Sequence, residues 1–263
     1  MAARKLPSNK TAKYKAGPSD ARLHGEVAVV TGGSRGIGYA IAGTLALEGC
    51  NVVITGRELT TLRKAAAQIA KSATDRAKAP QVVPIVCDVR DEESVASLFD
   101  EVKKRFGKVD ILVNNAGITQ PVLAVEKTSL KLWRDVIETN LTGVFLCTKA
   151  ALPLMKAGGI IVNNLSAAAK QVFPNYATYS AAKRGALGFT LSLREELIPR
   201  GIRVMALMTG ATATDMWDQI MPNAPRDRMI DVNSVAQAVL CAALLPPNVN
   251  PSEISLDPTG GAV

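Results

Sequence analysis

Seven short apolar runs, separated by longer segments of helical character, constrain this 263-residue chain more than any other feature. The runs fall at residues 27–30, 52–55, 82–86, 111–113, 160–162, 204–207 and, more weakly, 254–256. Runs this short and continuously apolar suit strands buried on both faces. Helical segments lie between them. Asp91-Glu92-Glu93 offers a cap and an acidic first turn, Val95, Leu98, Phe99 and Val102 recur at helical spacing, and Gly107 ends the run. Asp231 heads a last helix through Val235, Val239 and Leu240, stopped by Pro246 and Pro247. Strand–helix alternation predicts an α/β fold with a doubly wound parallel sheet covered by helices on both faces. With no internal repeat or linker, residues 25–263 read as one domain, with a flap around residues 215–230.

Composition removes several function classes. His24 is the only histidine, which leaves no material for a histidine metal cluster or a Ser-His-Asp triad, and no metal is expected. The four cysteines are scattered and form no CxxC pair, which suits reduced thiols and a cytoplasmic protein. No stretch reaches the roughly 18 unbroken apolar residues of a membrane span. The net charge of +8 is concentrated early: six basic residues (Arg4, Lys5, Lys10, Lys13, Lys15, Arg22) stand against Asp20 before Gly25. Residues 1–24 therefore read as a basic, mobile arm without the apolar core of a secretory signal; its acid-poor character leaves a transit peptide open. Only Tyr14 among aromatics interleaves with these charges, so nucleic acid is not the expected partner.

Directly after the first apolar run comes Thr31-Gly32-Gly33-Ser34-Arg35-Gly36-Ile37-Gly38, leading into a helix. Glycines let backbone approach a pyrophosphate, and the helix N-terminus offers free N–H groups. The second run ends Gly56-Arg57. An acidic residue near this point would hold a ribose 2′-hydroxyl, whereas arginine suits a 2′-phosphate. Arg35 and Arg57 together favour NADP(H) over NAD(H).

Tyr179 and Lys183 are four residues apart in a helix expected over 176–198, and so share one face. A nearby ammonium is expected to lower the phenol pKa from its usual value of about 10 and make it a usable acid or base. Ser166 follows the fifth run, at the end where such sheets bind ligands. Tyr176, two turns from Lys183, is expected to form a pocket wall or simply pack.

These residues, with Asn114-Asn115-Ala116-Gly117 and Asn140-Leu141-Thr142-Gly143, together resemble the single-domain short-chain dehydrogenases/reductases, and among them the 3-oxoacyl-thioester reductases. The resemblance spans about residues 25–261. It implies a seven-stranded Rossmann sheet and the interconversion of a carbonyl and a secondary alcohol. It also implies roles: Tyr179 as proton donor or acceptor, Lys183 lowering its pKa and binding the nicotinamide ribose, Ser166 positioning the carbonyl, and Asn140 in a proton relay. Gly32, Ser34, Arg35, Gly36, Ile37, Gly38, Arg57, Asp88, Val89, Asn115, Ala116 and Gly117 would line the cofactor cleft, with Tyr179 and Lys183 also touching the cofactor. Gly210, Thr212 and Thr214 would serve its nicotinamide side. The family's Asn-x-x-Pro-Gly-x-x-x-Thr pattern is altered here, with Ala206 and Thr209 replacing asparagine and proline. Either this loop is looser, or Thr209 contacts the carboxamide. Gln120, Ala168, Phe173, Tyr176 and Trp217 are expected around a small-molecule substrate, and a homotetramer or homodimer is the expected assembly. The competing readings are a dehydrogenase of a steroid, sugar or other alcohol, and a non-catalytic NADP(H)-binding sensor.

Overall fold

The structure, a computed structural model, describes residues 22–73 and 79–261. Seven parallel strands form one sheet in the order β3-β2-β1-β4-β5-β6-β7. They are β1 Val27–Thr31, β2 Asn51–Gly56, β3 Val82–Val86, β4 Ile111–Asn114, β5 Ile160–Asn164, β6 Arg203–Thr209 and β7 Glu253–Leu256. The helices are α1 Gly36–Leu47, α2 Leu59–Ser72, α3 Glu92–Phe106, α4 Leu130–Ile137, α5 Gly143–Ala151, α6 Ala177–Leu197 and α7 Val232–Ala243.

Alternate residues of each central strand feed two cores. Ala28 and Val30 of β1 face Ile41 and Leu45 of α1, Leu62 of α2 and Val239 of α7. Val29, between them, faces Leu98 of α3, Leu146 of α5 and Leu193 of α6. Period-two alternation on a sheet covered twice explains why the strands read as unbroken apolar runs. The expected α3 caps are present: the Asp91 side chain accepts from the Glu93 N–H, and Gly107 closes the helix at φ 72°.

β1 lies between β2 and β4, so the strand order reverses beside it. The glycine turn after β1 and the Asn-Asn-Ala-Gly turn after β4 therefore flank the crevice where this topology binds ligands.

Two expectations change. Residues 1–21 of the basic arm lie outside the described residues, but Arg22–His24 belong to the domain. Leu23 is buried in the core, its N–H donates to Glu48 O at 2.9 Å, and Arg22 pairs with the Glu48 carboxylate at 2.8 Å. The loop carrying Thr209 is not loosened by the missing proline. Thr209 is buried and pairs in register with Leu256, and the next N–H, of Gly210, donates to Leu256 O at 2.8 Å. Strand pairing takes over the restraint that a ring would have supplied. Among the described residues no helix is long and apolar enough to cross a membrane.

Candidate active site

The glycine turn is shaped by contacts that leave no room for side chains. Gly32 (φ +64°) would place a Cβ 3.0 Å from Ala116 Cα, and Gly38 would place one 2.3 Å from Gly32 O. The turn is thus clasped onto the loop after β4. Thr31 Oγ1 accepts from the N–H groups of Asn115 and Ala116, each at 2.9 Å, and Asn115 Nδ2 returns bonds to Thr31 O and Gly32 O. Gly36 (φ +56°) faces Thr214, whose Cγ2 would lie 3.3 Å from a Cβ there. Residues 32, 36, 38, 115, 116 and 214 are therefore one structure. Ile37, half-buried, packs on the core under it.

Arg35 and Arg57 are both exposed at the cleft rim. Ser34 links their neighbourhoods, because its Oγ would lie 3.9 Å from a Cβ on Gly56. The nearby acid, Glu58, is turned away. Its carboxylate caps α2, accepting from Thr60 N at 2.9 Å and Thr61 N at 2.5 Å. Hydrogen bonds from the Thr61 hydroxyl and these backbone groups hold its pKa down at about 2. Asp88 is also engaged: Arg90 holds it at 2.6 Å, and these bonds, ahead of the charge of Arg57, keep its carboxyl below the usual range. Val89 is buried against Gly143, where a Cβ would meet its Cγ2 at 2.8 Å. The backbone cradle, the helix N-terminus and the two exposed guanidiniums fit a dinucleotide carrying a 2′-phosphate.

On the other side of the crevice α6 begins one residue later than expected, with Tyr176 flanking it rather than inside it. Tyr179 and Lys183 are buried on one face of that helix, with Lys183 Nζ 5.6 Å from the Tyr179 ring centroid. Lys183 Nζ donates to Asn164 O at 3.1 Å. Burial brings its pKa down to about 8. The phenol departs from expectation: burial, then the neighbouring Tyr176, push the Tyr179 pKa up, and hydrogen bonding to Ser166 only partly opposes them. Desolvation acts directly on this buried phenol and is the largest of these influences. Ser166 caps the short turn Ala167–Ala169, its Oγ accepting from Ala168 N at 3.2 Å.

Asn140 is not in a regular helix but in a five-residue π-helical turn, Glu138–Thr142, between α4 and α5. Its Nδ2 donates to Val136 O and Ile118 O, both at 2.9 Å. Its Oδ1 is buried with no partner among the described residues and sits over Gly117, where a Cβ would come within 2.7 Å. Such π turns free a side chain from its regular direction. They leave no period in the sequence to read.

The expected substrate residues divide. Ala168 is buried against Tyr179, and Phe173 is exposed. Tyr176 stands 5.2 Å from Tyr179 between ring centroids, with its hydroxyl bonded to Thr119. Trp217 ties the flap to the loop after β6 by donating Nε1 to Thr212 O at 3.0 Å. Thr212 Oγ1 in turn donates to Gly210 O at 3.0 Å. Gln120 does not face a substrate space. It is wholly buried, and both ends of its amide are taken by backbone groups of the segment entering α6.

Asn164 escaped the sequence reading. Its Nδ2 donates to Asn115 Oδ1 at 2.9 Å, so one residue connects the glycine turn, through Asn115, with the lysine that its carbonyl holds. Strand alternation could have separated it from Asn163, whose Nδ2 donates to Thr190 at 2.9 Å in the core.

Residues 26–225 match the short chain dehydrogenase family. Among curated proteins, a 3-oxoacyl-[acyl-carrier-protein] reductase of Synechocystis sp. is 40% identical over 200 residues, covering 75% of this chain and 78% of that protein. The reductase FabG of Haemophilus influenzae is 37% identical, covering 82% and 90%. Among solved structures, a short chain dehydrogenase from Burkholderia cenocepacia in complex with NADP has a TM-score of 0.80 and 31% identity, covering 90% of this chain and 98% of that one. With this match over most of its length and these identities, the chain belongs to the short-chain dehydrogenase/reductase family.

Proposed function

We propose that this protein is an NADP(H)-dependent oxidoreductase that reduces the ketone of a 3-oxoacyl thioester to a secondary alcohol, with Tyr179 as the proton donor. The observation that carries this reading is the stacking of Tyr179 and Lys183, both buried, at the carboxyl end of β5. NADP(H) is favoured because Arg35 and Arg57 are exposed at the rim while Glu58 is spent on its own helix. The thioester class rests on likeness to relatives named 3-oxoacyl-[acyl-carrier-protein] reductases.

When bound, the cofactor supplies the hydride in reduction and accepts it in oxidation. The chain manages the proton. Tyr179 Oη gives its proton to the carbonyl oxygen, and Ser166 Oγ orients that oxygen. Lys183 is an ammonium below about pH 8 and stabilises the phenolate left behind. The unpartnered Oδ1 of Asn140 suits a relay that returns the proton. Gly32, Gly36, Gly38, Asn115 and Thr214 hold the cofactor. A dimer or tetramer formed through the helices bearing Asn140 and Tyr179, working in the cytoplasm, completes the reading.

The test follows NADPH and NADH absorbance with acetoacetyl-coenzyme A and a ketone panel, for the native enzyme and Tyr179→Phe. Turnover with NADPH, reduced about 10³-fold in the variant, is expected. Equal turnover by Tyr179→Phe would end the mechanism; preference for NADH would end the cofactor assignment.

A further inference from the structure

The segment after β4 meets α6 in an unusual way. A helix leaves its first N–H groups without partners inside the helix, and a local side chain normally accepts from one of them. At α6 the flanking residue is Tyr176, which provides no such cap. The Tyr179 N–H instead donates to Gln120 Oε1 at 2.8 Å, across 59 residues of sequence. The other end of the same amide donates from Nε2 to Asn175 O at 3.2 Å. Asn175 is the sole non-glycine residue with positive φ (62°) among the described residues, and its carbonyl also accepts from Leu123 N at 2.9 Å.

The neighbours of Gln120 extend the bracket. Thr119 bonds the Tyr176 hydroxyl, and Ile118 O accepts from Asn140 Nδ2. Three consecutive residues thus reach Asn140, Tyr176 and Tyr179. Gln120 alone binds the backbone of the proton-donating tyrosine itself, and it is entirely shielded from water. A polar side chain so placed can be exchanged for an apolar one only by leaving a buried N–H without a partner.

We infer that Gln120 is a positioning residue: its side-chain amide caps the first turn of α6 from a distant loop, and so fixes where the phenol of Tyr179 stands relative to Ser166 and the Asn140 turn. The inference rests on the reading of Tyr179 as proton donor. Small displacements of a reacting group cost rate far more than binding, and neither amide bond of Gln120 reaches the glycine turn or Lys183.

The test uses the full-length protein as Gln120→Met, Gln120→Glu and Tyr179→Phe. Methionine keeps the length and removes both bonds. Glutamate keeps the acceptor for the Tyr179 N–H and, in the protonated form that full burial favours, an O–H that can still donate to Asn175 O. Amide exchange at Tyr179 is expected to accelerate at least about ten-fold in Gln120→Met. With acetoacetyl-coenzyme A, kcat is expected to fall about ten-fold or more, while the NADPH Kd from nicotinamide fluorescence stays within about two-fold. Gln120→Glu is expected to recover exchange and kcat to within about three-fold of the native enzyme.

Unchanged exchange and kcat in Gln120→Met would overturn the inference. So would parallel loss of NADPH affinity, or a glutamate variant no better than methionine. Should the methionine variant fail to fold, an unprotected Tyr179 amide in the native protein would overturn it equally. Full activity in Tyr179→Phe would sink the proton-donor reading instead, while the exchange measurement, which needs no substrate, still judges the cap.

Discussion

The two walls of the crevice are built on opposite physical plans. The wall around residues 32–38 is made of backbone: its shape depends on missing Cβ atoms, and its charges, Arg35 and Arg57, stand in solvent. The wall around Tyr179 and Lys183 is made of enclosed side chains, whose proton affinities are moved by burial itself. A phosphate needs donors and open approach, and the anion arrives already charged. A proton-transfer group needs a tuned pKa, and exclusion of water is the strongest local means of shifting one. The difference predicts that the first wall fails by steric change and the second by changes in hydrogen bonding or charge.

The largest effect is expected at Gly38→Ala. The new Cβ meets Gly32 O at 2.3 Å and Asn115 Nδ2 at 2.4 Å, and the carbonyl is backbone that cannot swing aside. A loss of about 3 kcal/mol is expected in chemical denaturation, with NADPH affinity down at least about 10²-fold by fluorescence titration. A variant that keeps both would show that the clasp is not tight.

Next comes Lys183→Met, where the two walls should differ in sign. The lysine pKa falls from 10.5 to about 8 on folding. Between those values the unfolded chain binds more protons, so stability rises with pH across that window. Below about pH 8 both states are protonated, and the folded state carries the whole burial penalty, an amount of about 3 kcal/mol. Lys183→Met should therefore be more stable than the native enzyme at pH 7 and lose that advantage between pH 8 and 10.5, while its kcat falls. Denaturation curves across this range check both slope and sign; a variant destabilised at pH 7 contradicts the penalty.

Arg57→Ala should leave folding untouched and reduce the ratio of kcat/KM for NADPH over NADH by about 30-fold, the scale of a charge-assisted hydrogen bond. A ratio that does not move would return Arg57 to ordinary solvated surface. The smallest effect is expected at Trp217→Phe, which removes the bond to Thr212 O. About 1 kcal/mol of stability is at stake, with the KM for the thioester rising more than the NADPH Kd.

Much of the first wall was legible in the chain. Glycines at 32, 36 and 38 after a strand announce close backbone approach, and Gly56-Arg57 without an acid favours a 2′-phosphate over a 2′-hydroxyl. The Tyr179–Lys183 pair was legible as a spacing. Its environment was not: the upward pull on the phenol comes from everything packed around it, and no spacing encodes that. Gln120 shows the limit most clearly. As a polar residue in a loop it reads as a pocket contact, yet its partners lie 55 and 59 residues away. The π-helical turn at Asn140 and the Asn164–Asn115 link were hidden for the same reason.

The sequence by itself determined the doubly wound sheet, the place of the glycine turn and the pairing of Tyr179 with Lys183. All three follow from local periodicity, backbone sterics and helical spacing, which are short-range. Only the tertiary structure decided that Glu58 is spent on its own helix, that Leu23 joins the core, that burial is the largest influence on the proton affinities of Tyr179 and Lys183, and that the Gln120 amide bonds the Tyr179 N–H and the Asn175 carbonyl. Desolvation and hydrogen-bond partnership depend on what every other segment brings to the same place, and that is settled only when the chain has closed on itself.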